Sequence, residues 1–288
     1  MNWSASKLKV LAECSEKFRR RYIELEGGDF DNAGNLIGKA VHWAAQQATE
    51  ARIAGQDIDL KHAVEQAEAH FEGLLKADTE AVNPIPWEDG QLEARRKDVV
   101  QLAQGLILRL PGIWQTYGEP TAAEWKFEAL PWRGHGLNGQ MDARTTGALI
   151  DWKTGKRPLS QDYASRSIQR LFYTAAVQEV HGVFVPRFAF VQMYRQKATK
   201  TKPDRYSFLV RERETRPEEL DLLKRMLDDA EAIVQAHAYQ LNIDSNLCDP
   251  RWCPFFTMGC PAGLLRPELL EPEEVIEDEE EVNLAESR

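Results

Sequence analysis

The sequence predicts an α/β (α+β) fold in which a central mixed β-sheet is flanked by helices. The first 120 residues carry helical periodicity and no strong strand pattern, which indicates a helical N-terminal part. Five strand-like runs follow between positions 124 and 212, with one helical segment after the third run and another after the fifth. This order of elements is typical of a sheet that packs against helices.

The helices are predicted from their apolar spacing and from the turns that bound them. The first covers about 5–25, with Leu8 and Phe18 on its apolar side and Ser4 or Ser6 as its N-cap. A second helix begins near position 36, and four others cover about 59–77, 91–110, 163–181 and 217–239.

The strands are predicted from runs of alternating or apolar residues at 124–132, 137–144, 148–153, 184–194 and 205–212. Short turns join the first three runs, so we expect them to form an antiparallel meander. A polar, basic loop separates the last two runs, and a second basic run lies near the start of the chain. Each either binds phosphates or forms solvated surface. The loop contains Arg195, Lys197, Lys200, Lys202 and Arg205, and the run contains Lys17, Arg19, Arg20 and Arg21.

The composition is compatible with a nucleic-acid substrate, because most of the negative charge lies in one segment. The net charge is -10, but residues 261–288 contain ten carboxylates and two arginines, so this segment alone carries -8. We expect it to be a solvated, disordered tail, important for solubility or for docking a partner. No apolar run approaches the roughly 18–20 residues that a membrane span needs. Lys7 and Glu13 interrupt any signal peptide, so a cytoplasmic protein without a membrane partner is expected.

A predicted hairpin brings two aspartates together. If its turn centres between Thr146 and Gly147, the numbers of paired residues sum to 293 and Asp142 lies opposite Asp151. Lys153 then shares the face of Asp151, whereas Trp152 points the other way, towards packing. Two facing carboxylates repel each other unless a cation lies between them, and Mg²⁺ or Mn²⁺ suits this role. The alternative is a surface hairpin with an incidental cross-strand pair.

Two helical pairs accompany the hairpin. Gly38 and His42 lie four residues apart, so both occupy one helix face; the glycine allows another backbone to approach, and the imidazole is either a metal ligand or a packing residue. Gln169 and Tyr173 have the same spacing. Two arginines of the same predicted helix, Arg166 and Arg170, either bind phosphate or are solvated. The remaining histidines, at positions 62, 70, 135, 181 and 237, have no assigned role.

The four cysteines form a second pattern. Cys248, Cys253 and Cys260 lie close together as C-x4-C-x6-C, and Cys14 is the only residue that can supply a fourth thiolate. Four thiolates suit an iron–sulfur cluster or zinc. Such a site would join the two ends of the chain around the domain.

These motifs resemble those of PD-(D/E)XK nucleases of the RecB-like branch. Gly139-x-x-Asp142 followed by Asp151-Trp152-Lys153-Thr154-Gly155 resembles its second and third motifs. The resemblance implies a restriction-endonuclease-like core, with Asp142 and Asp151 as metal ligands and Lys153 as the catalytic lysine. It also implies a metal contact from the Trp152 carbonyl.

The order of the other motifs extends the resemblance from Ser4 to about Pro261. Gly38-x-x-x-His42 resembles the first motif, in which the histidine binds metal, and Gln169-x-x-x-Tyr173 resembles a motif that contacts DNA or the active site. The branch often has a glutamate near the strand that precedes the hairpin, and Glu124 and Glu128 are the two candidates. The cysteines resemble the iron–sulfur staple of AddB-like and CRISPR-associated members, which implies a [4Fe-4S] cluster; the x4 and x6 gaps leave zinc open.

The resemblance implies one nuclease domain over 1–262, with a helical insertion at about 52–120 and a tail at 263–288. The expected activity is metal-dependent hydrolysis of DNA, as an exonuclease on ends or single strands. A helicase, a recombinase or a CRISPR-adaptation protein is the expected kind of partner. One alternative is a non-catalytic DNA-binding subunit with the same fold, and another is a zinc-stapled protein of unrelated activity.

Overall fold

A computed structural model describes residues 1–26, 32–81, 85, 87, 90–196, 205–250 and 252–266, with the side chain of Leu264 excepted. The predicted tail beyond position 266 and the predicted phosphate contacts of Lys197, Lys200 and Lys202 lie outside the described residues. Among the described residues, no helix is long and apolar enough to cross a membrane.

The helical part precedes the sheet, and further helices alternate with the later strands. The helices are α1 (Ala5–Glu13), α2 (Ser15–Phe18), a π-helical turn (Arg19–Ile23), α3 (Ala33–Ile53), α4 (Leu60–Thr79), α5 (Gln91–Ile107), α6 (Leu110–Tyr117), α7 (Gln161–Arg166), α8 (Gln169–His181), α9 (Pro217–Gln235), a 3-10 turn (Pro254–Phe256) and α10 (Pro261–Leu265). The strands are β1 (Asn2–Trp3), β2 (Pro120–Trp132), β3 (His135–Thr145), β4 (Leu149–Gly155), β5 (Arg187–Gln196) and β6 (Arg205–Glu214).

The described strands form one mixed sheet, as predicted. β2, β3 and β4 are an antiparallel meander, β5 joins β4 in parallel, and β6 joins β5 antiparallel. β1 pairs in parallel with β3 at Gly136 and Leu137, while β4 pairs with β3 at Ala143 and Arg144. A mixed sheet flanked by helices is the restriction-endonuclease-like arrangement, so the predicted fold class is confirmed.

The helix boundaries differ from the predictions in three places. The predicted helix 5–25 is divided because Cys14 adopts an extended conformation, with φ of -163°. The predicted helix 163–181 is divided at Ser167, so Arg166 and Arg170 lie on different helices. α6 and β1 were not predicted. The two residues of β1 are too few to show an alternating pattern. Ser4 is the N-cap of α1, and its hydroxyl accepts a hydrogen bond from the Lys7 amide.

Two hydrophobic clusters cover the two faces of the sheet. One packs α3 to α6 against Ile150, Trp152 and Val191, and the other packs α1, α8 and α9 against Leu149 and Phe188. α3 presents an alanine-rich stripe to the sheet, which allows the helix to lie close to β2 and β4. Because alternate residues of β4 enter opposite clusters, Asp151 and Lys153 emerge on the face opposite Trp152, as predicted.

The two ends of the described chain contact each other. The Arg20 guanidinium donates hydrogen bonds to the carbonyls of Phe255 and Met258, at 3.4 and 3.2 Å. The Asn242 amide donates to the Glu13 carbonyl, and the Gln240 amide donates to the Ser15 hydroxyl. These hydrogen bonds hold the segment around Cys14 and Arg20 against residues 240–258.

Candidate functional site

Three carboxylates lie in a row across the meander. The pairing of Ala143 with Ile150 continues to Asp142 opposite Asp151, which is the predicted register. On the other side of β3, Ala123 pairs with Ala143 and the register of β2 places Glu124 opposite Asp142. Glu124 has a φ of +46°, a left-handed conformation that costs a non-glycine residue about 1–2 kcal/mol.

The strands β3 and β4 diverge at the aspartates. Their hydrogen-bonded ladder contains only the pairs at 143 and 144, so beyond these the backbone N–H groups of β4 need other acceptors. The Trp152 amide donates to Oδ2 of Asp142 at 2.6 Å. The Asp142 carboxylate therefore pairs with the Trp152 N–H where the strands diverge, while its Oδ1 atom lies near His42.

His42 approaches the carboxylate row from α3. Its Nδ1 lies 3.5 Å from Oδ1 of Asp142. Among the described residues, His42, Glu124 and Asp142 are the one set of three His, Cys, Asp or Glu side chains whose ligand atoms all lie within 4.8 Å of one another. One nitrogen and two carboxylate oxygens form a donor set that fits Mn²⁺ or Mg²⁺.

This set differs in one member from the predicted ligands His42, Asp142 and Asp151. Glu124 takes the third position, whereas Glu128 is exposed and paired with Lys126. The sequence alone left these two glutamates undecided, because both positions point to the same side of a regular strand. The strand is not regular throughout: its register against β3 shifts between Phe127 and Leu130, which includes Glu128, whereas Glu124 keeps the register that places it opposite Asp142.

Asp151 is held by other side chains. Its carboxylate contacts the Lys153 ammonium and accepts a hydrogen bond from Nε2 of Gln169 at 2.6 Å. Gln169 also donates to the Tyr173 hydroxyl at 2.8 Å, and that hydroxyl donates to the Gln140 carbonyl. The Gln169–Tyr173 pair therefore fixes the orientation of Asp151, while the predicted metal contact of the Trp152 carbonyl stays a prediction.

The electrostatics of the site reflect an excess of negative charge. Burial raises the pKa of Asp151 to about 6, with Lys153 opposing and Asp142 adding to the shift. Burial raises the pKa of Glu124 as well, and Asp142 reinforces this. Burial lowers the pKa of His42, but the nearby Asp142 carboxylate reverses this and the net shift is upward. A bound cation would oppose both the burial and the repulsion that raise the pKa values of these carboxylates, because it stabilises their charged forms.

Gly38 lies one helical turn before His42, as the sequence indicated, but its close neighbour is a side chain and not a backbone. A Cβ at position 38 would come within 3.2 Å of Oγ1 of Thr154, the residue that follows Lys153. The first and third motifs are therefore in direct contact.

The candidate site opens into a cavity of about 840 Å³. His42, Asp142, Asp151, Lys153, Gln169 and Tyr173 all line it, so the structure brings these predicted residues together. The two arginines predicted near them do not line it. Arg166 is exposed and paired with Asp162, while Arg170 is buried and paired with Glu219, so a phosphate contact from Arg170 would require breaking that pair.

The predicted basic clusters are also divided between different roles. Arg195 lines the cavity and is paired with Asp98. Arg19 and Arg20 are paired with Glu16. We therefore assign Arg19 and Arg20 to contacts within the chain.

The four cysteines meet in one place outside this cavity. Cys14, Cys248, Cys253 and Cys260 are free thiols that line a single small cavity of about 20 Å³. Burial raises the pKa of Cys248 and that of Cys260. No three of these sulfur atoms lie within 4.8 Å of one another, whereas a tetrahedral zinc site with bonds of about 2.3 Å would hold them about 3.8 Å apart.

Comparison with known proteins agrees with this geometry. The sequence model of the PD-(D/E)XK nuclease superfamily matches residues 2–260, a range that includes the carboxylate row and all four cysteines. No curated protein matches the chain.

Proposed function

Because the chain belongs to the PD-(D/E)XK nuclease superfamily, we propose that it is a metal-dependent deoxyribonuclease, an exonuclease that acts on DNA ends or single strands. The convergence of His42, Glu124 and Asp142 within 4.8 Å, beside the Asp151–Lys153 pair, is the observation that carries the proposal. Members of this superfamily use divalent metal ions and are usually phosphodiester hydrolases.

In this proposal His42, Glu124, Asp142 and Asp151 hold Mg²⁺ or Mn²⁺. When bound, the ion polarises the phosphodiester and makes water a better nucleophile. The Lys153 ammonium lines the cavity beside Asp151, so it offsets charge that develops on the phosphate during in-line attack. Gln169 and Tyr173 are positioning residues, since they reach the reacting groups only through Asp151.

We also propose that the cysteines bind a [4Fe-4S] cluster that joins the ends of the chain. The donor set of four free thiols fits such a cluster, and the sulfur separations are wider than one zinc ion requires. The cavity between them is about the size of one water molecule, so it must widen to admit the cluster. The nuclease domain then extends over 1–262, with 52–120 as a helical insertion. A helicase, a recombinase or a CRISPR-adaptation protein is the kind of partner that we propose.

The nuclease proposal is tested with end-labelled linear and covalently closed circular DNA, single- and double-stranded, in Mg²⁺, Mn²⁺ or EDTA. We expect metal-dependent degradation of linear DNA, and a loss of about 10²–10³-fold in Asp151→Asn and in Lys153→Ala. Cleavage of circular DNA would contradict the exonuclease assignment. If folded wild-type protein leaves every substrate intact, the chain is a binding subunit and not an enzyme.

The cluster proposal is tested separately by anaerobic purification, with iron, sulfide and zinc measured in the same sample. We expect about four iron and four sulfide per chain, as a [4Fe-4S] cluster contains, with a broad absorbance near 400 nm. Stoichiometric zinc without iron would show instead that the thiolates hold a single ion.

A further inference from the structure

The cavity extends from the candidate metal ligands onto the helical wall formed by α3, α4 and α5. Besides the ligands, that wall contributes Trp43, His70, Arg95 and Asp98, and β5 contributes Arg195 opposite them. None of these five residues has a part in the site described above. Their arrangement has two components, an aromatic stack and a pair of arginines held by one carboxylate.

The aromatic stack consists of Trp43 and His70. The ring centroids are 4.9 Å apart and the ring planes differ by 11°, so the two rings are nearly parallel. Trp43 follows His42 directly in α3, which places the stack beside the candidate metal ligands. Neither ring belongs to a hydrophobic cluster of the core, and both line the cavity. The stack is therefore a flat, partly exposed surface next to the reaction centre.

The arginine pair is organised by Asp98 of α5, which is 3% exposed. Its carboxylate accepts hydrogen bonds from Arg95 at 3.0 Å, from Arg195 at 3.1 Å and from the Tyr206 hydroxyl at 2.8 Å. Burying a carboxylate is costly unless it is paired, and two guanidinium groups together with a hydroxyl supply that pairing. The Asp98 carboxylate therefore holds two guanidinium groups together at the lining of the cavity.

We propose that Trp43, His70, Arg95 and Arg195 form a nucleotide-binding subsite for unpaired DNA. This inference rests on the proposed nuclease function and names the part of the substrate that the helical wall recognises. An unpaired base extends the Trp43–His70 stack, and an adjacent phosphate binds the arginine pair. Because both faces of a base within a duplex are covered by its neighbours, only an unpaired or frayed nucleotide can use the stack.

The charge of the cavity agrees with an anionic ligand on this side. Among the described residues that line the cavity, five are lysine or arginine and four carry carboxylates, three of which belong to the metal-site row. Away from that row, the described lining includes Lys39, Arg95 and Arg195 beside Asp98, so a phosphate beyond the one being cut would meet cationic side chains there. Arginine donors and aromatic rings are the combination that proteins use for single strands without sequence preference.

The stack is tested by binding and not by cleavage. Single-stranded oligonucleotides carrying 2-aminopurine at successive positions from one end are titrated with wild-type protein in Ca²⁺, with fluorescence as the stacking signal and anisotropy as the affinity signal. We expect quenching at one or two positions. Trp43→Ala should abolish the quenching and weaken binding about tenfold. Trp43→Phe should retain most of both, since it keeps a ring.

A matched control separates the stack from general effects of α4. His62 lies two helical turns before His70 on the same helix but outside this cavity. We expect His70→Ala to reduce both the quenching and the affinity, and His62→Ala to leave both unchanged. Equal effects of the two substitutions would overturn the assignment of the stack.

The arginine pair is tested by the salt dependence of the same binding. Each phosphate contact on a single strand contributes about 0.7 to the slope of log affinity against log salt. We expect Arg95→Gln to reduce the slope by about this amount. The neighbouring Arg96 pairs with Glu72 outside the cavity, so Arg96→Gln should leave the slope unchanged.

Failure of the subsite and failure of the proposed function give different results. If wild-type protein degrades DNA but no oligonucleotide position is quenched and the salt slopes of Arg95→Gln and wild type agree, the subsite is wrong and the nuclease stands. If wild-type protein binds single strands with Trp43-dependent quenching yet cuts nothing, the subsite stands and the nuclease proposal falls.

Discussion

Glu124 and Glu128 belong to the same strand, yet their surroundings differ completely. Glu124 adopts a left-handed backbone and faces Asp142 and His42, whereas Glu128 is exposed beside Lys126. A strained backbone conformation persists in a strand only when other interactions offset its free-energy cost. Such residues are concentrated at functional sites. We infer that the gain at Glu124 is its place among the candidate metal ligands.

This inference gives a paired prediction. Glu124→Gln should lower metal-dependent DNA hydrolysis about 100-fold and raise the metal concentration needed for half-maximal rate, because one of three convergent donors loses its charge. Glu128→Gln should match wild type within error. Initial rates across a Mn²⁺ titration measure both effects, and similar rates for the two variants would remove Glu124 from the ligand set.

The pKa shifts predict how metal binding depends on pH. The raised pKa values of Asp151, about 6, and of Glu124 mean that both carboxylates hold protons at a higher pH than usual in the metal-free protein. The raised pKa of His42 acts in the same direction, since metal requires the neutral imidazole. Stabilisation by metal should therefore be present above pH 6 and be lost as the pH falls through 6.

Thermal unfolding with and without Mg²⁺ between pH 5 and 8 measures this loss. The increase in melting temperature on adding Mg²⁺ should decrease below pH 6 in the wild type. In Asp151→Asn the increase should be small at every pH. An increase that is larger at pH 5 than at pH 8 would contradict the assignment of these groups as ligands.

At the scale of elements, the glycine of the G-x-x-D motif has a packing role. Gly139 pairs across the sheet with Phe127, and a Cβ at position 139 would lie 2.4 Å from the Phe127 ring. That ring is buried and packs edge-on against Tyr173, at 6.2 Å between centroids. Gly139 thus allows β2, β3 and α8 to pack together next to Tyr173, which with Gln169 positions Asp151.

Gly139→Ala should consequently destabilise the fold by about 1–3 kcal/mol, the usual cost of overpacking a buried site. Gly73 is the matched control, since it lies inside α4 and a Cβ there meets nothing within 4 Å. Gly73→Ala should stabilise the protein by about 0.5–1 kcal/mol. Chemical denaturation of both variants measures the difference, and the same sign for both would contradict this account.

Arg170 provides a second prediction at this scale. It connects α8 to α9 through Glu219, at 2.6 Å, and both side chains are largely buried. Arg170→Gln removes the shorter ion pair of Glu219, which keeps Arg213 at 3.6 Å and the Arg216 amide, and should cost about 1–3 kcal/mol of stability. Single-strand affinity, measured at a temperature where the variant is folded, should not change; a selective loss of affinity would restore Arg170 as a phosphate contact.

At the scale of the whole molecule, the two ends of the described part of the chain contact each other. Arg20 and Asn242 already connect the N-terminal segment to the cysteine-rich segment, and the four cysteines meet at the same junction. A cluster there would couple the stability of the termini to that of the core. Loss of one thiolate should therefore loosen both ends together.

Cys14→Ser tests this coupling. We expect the anaerobically purified variant to lose most of its iron, to melt on the order of 5 °C lower, and to be cleaved by protease between residues 236 and 266. The wild type incubated with an iron chelator should behave in the same way. Unchanged iron content and protease resistance in Cys14→Ser would exclude this cysteine as a ligand.

The sequence by itself determined those features that depend on local spacing. The hairpin register followed from the assumed turn position and strand alternation, and the observed pairs Ala143–Ile150 and Arg144–Leu149 have that register. The mixed sheet followed from the order of elements. In each case, neighbouring residues or a regular repeat carry the information.

Tertiary structure decided the rest. The choice of Glu124 over Glu128 depends on the irregular backbone of β2, which shifts register between Phe127 and Leu130. The burial of Arg170 depends on α9, which lies about 50 positions further along the chain. The Trp43–His70 stack and the Asp98 arginine pair join helices and a strand whose approach no local pattern encodes. Side chains from distant elements meet only after the core has packed, so their contacts follow from the whole fold and not from spacing.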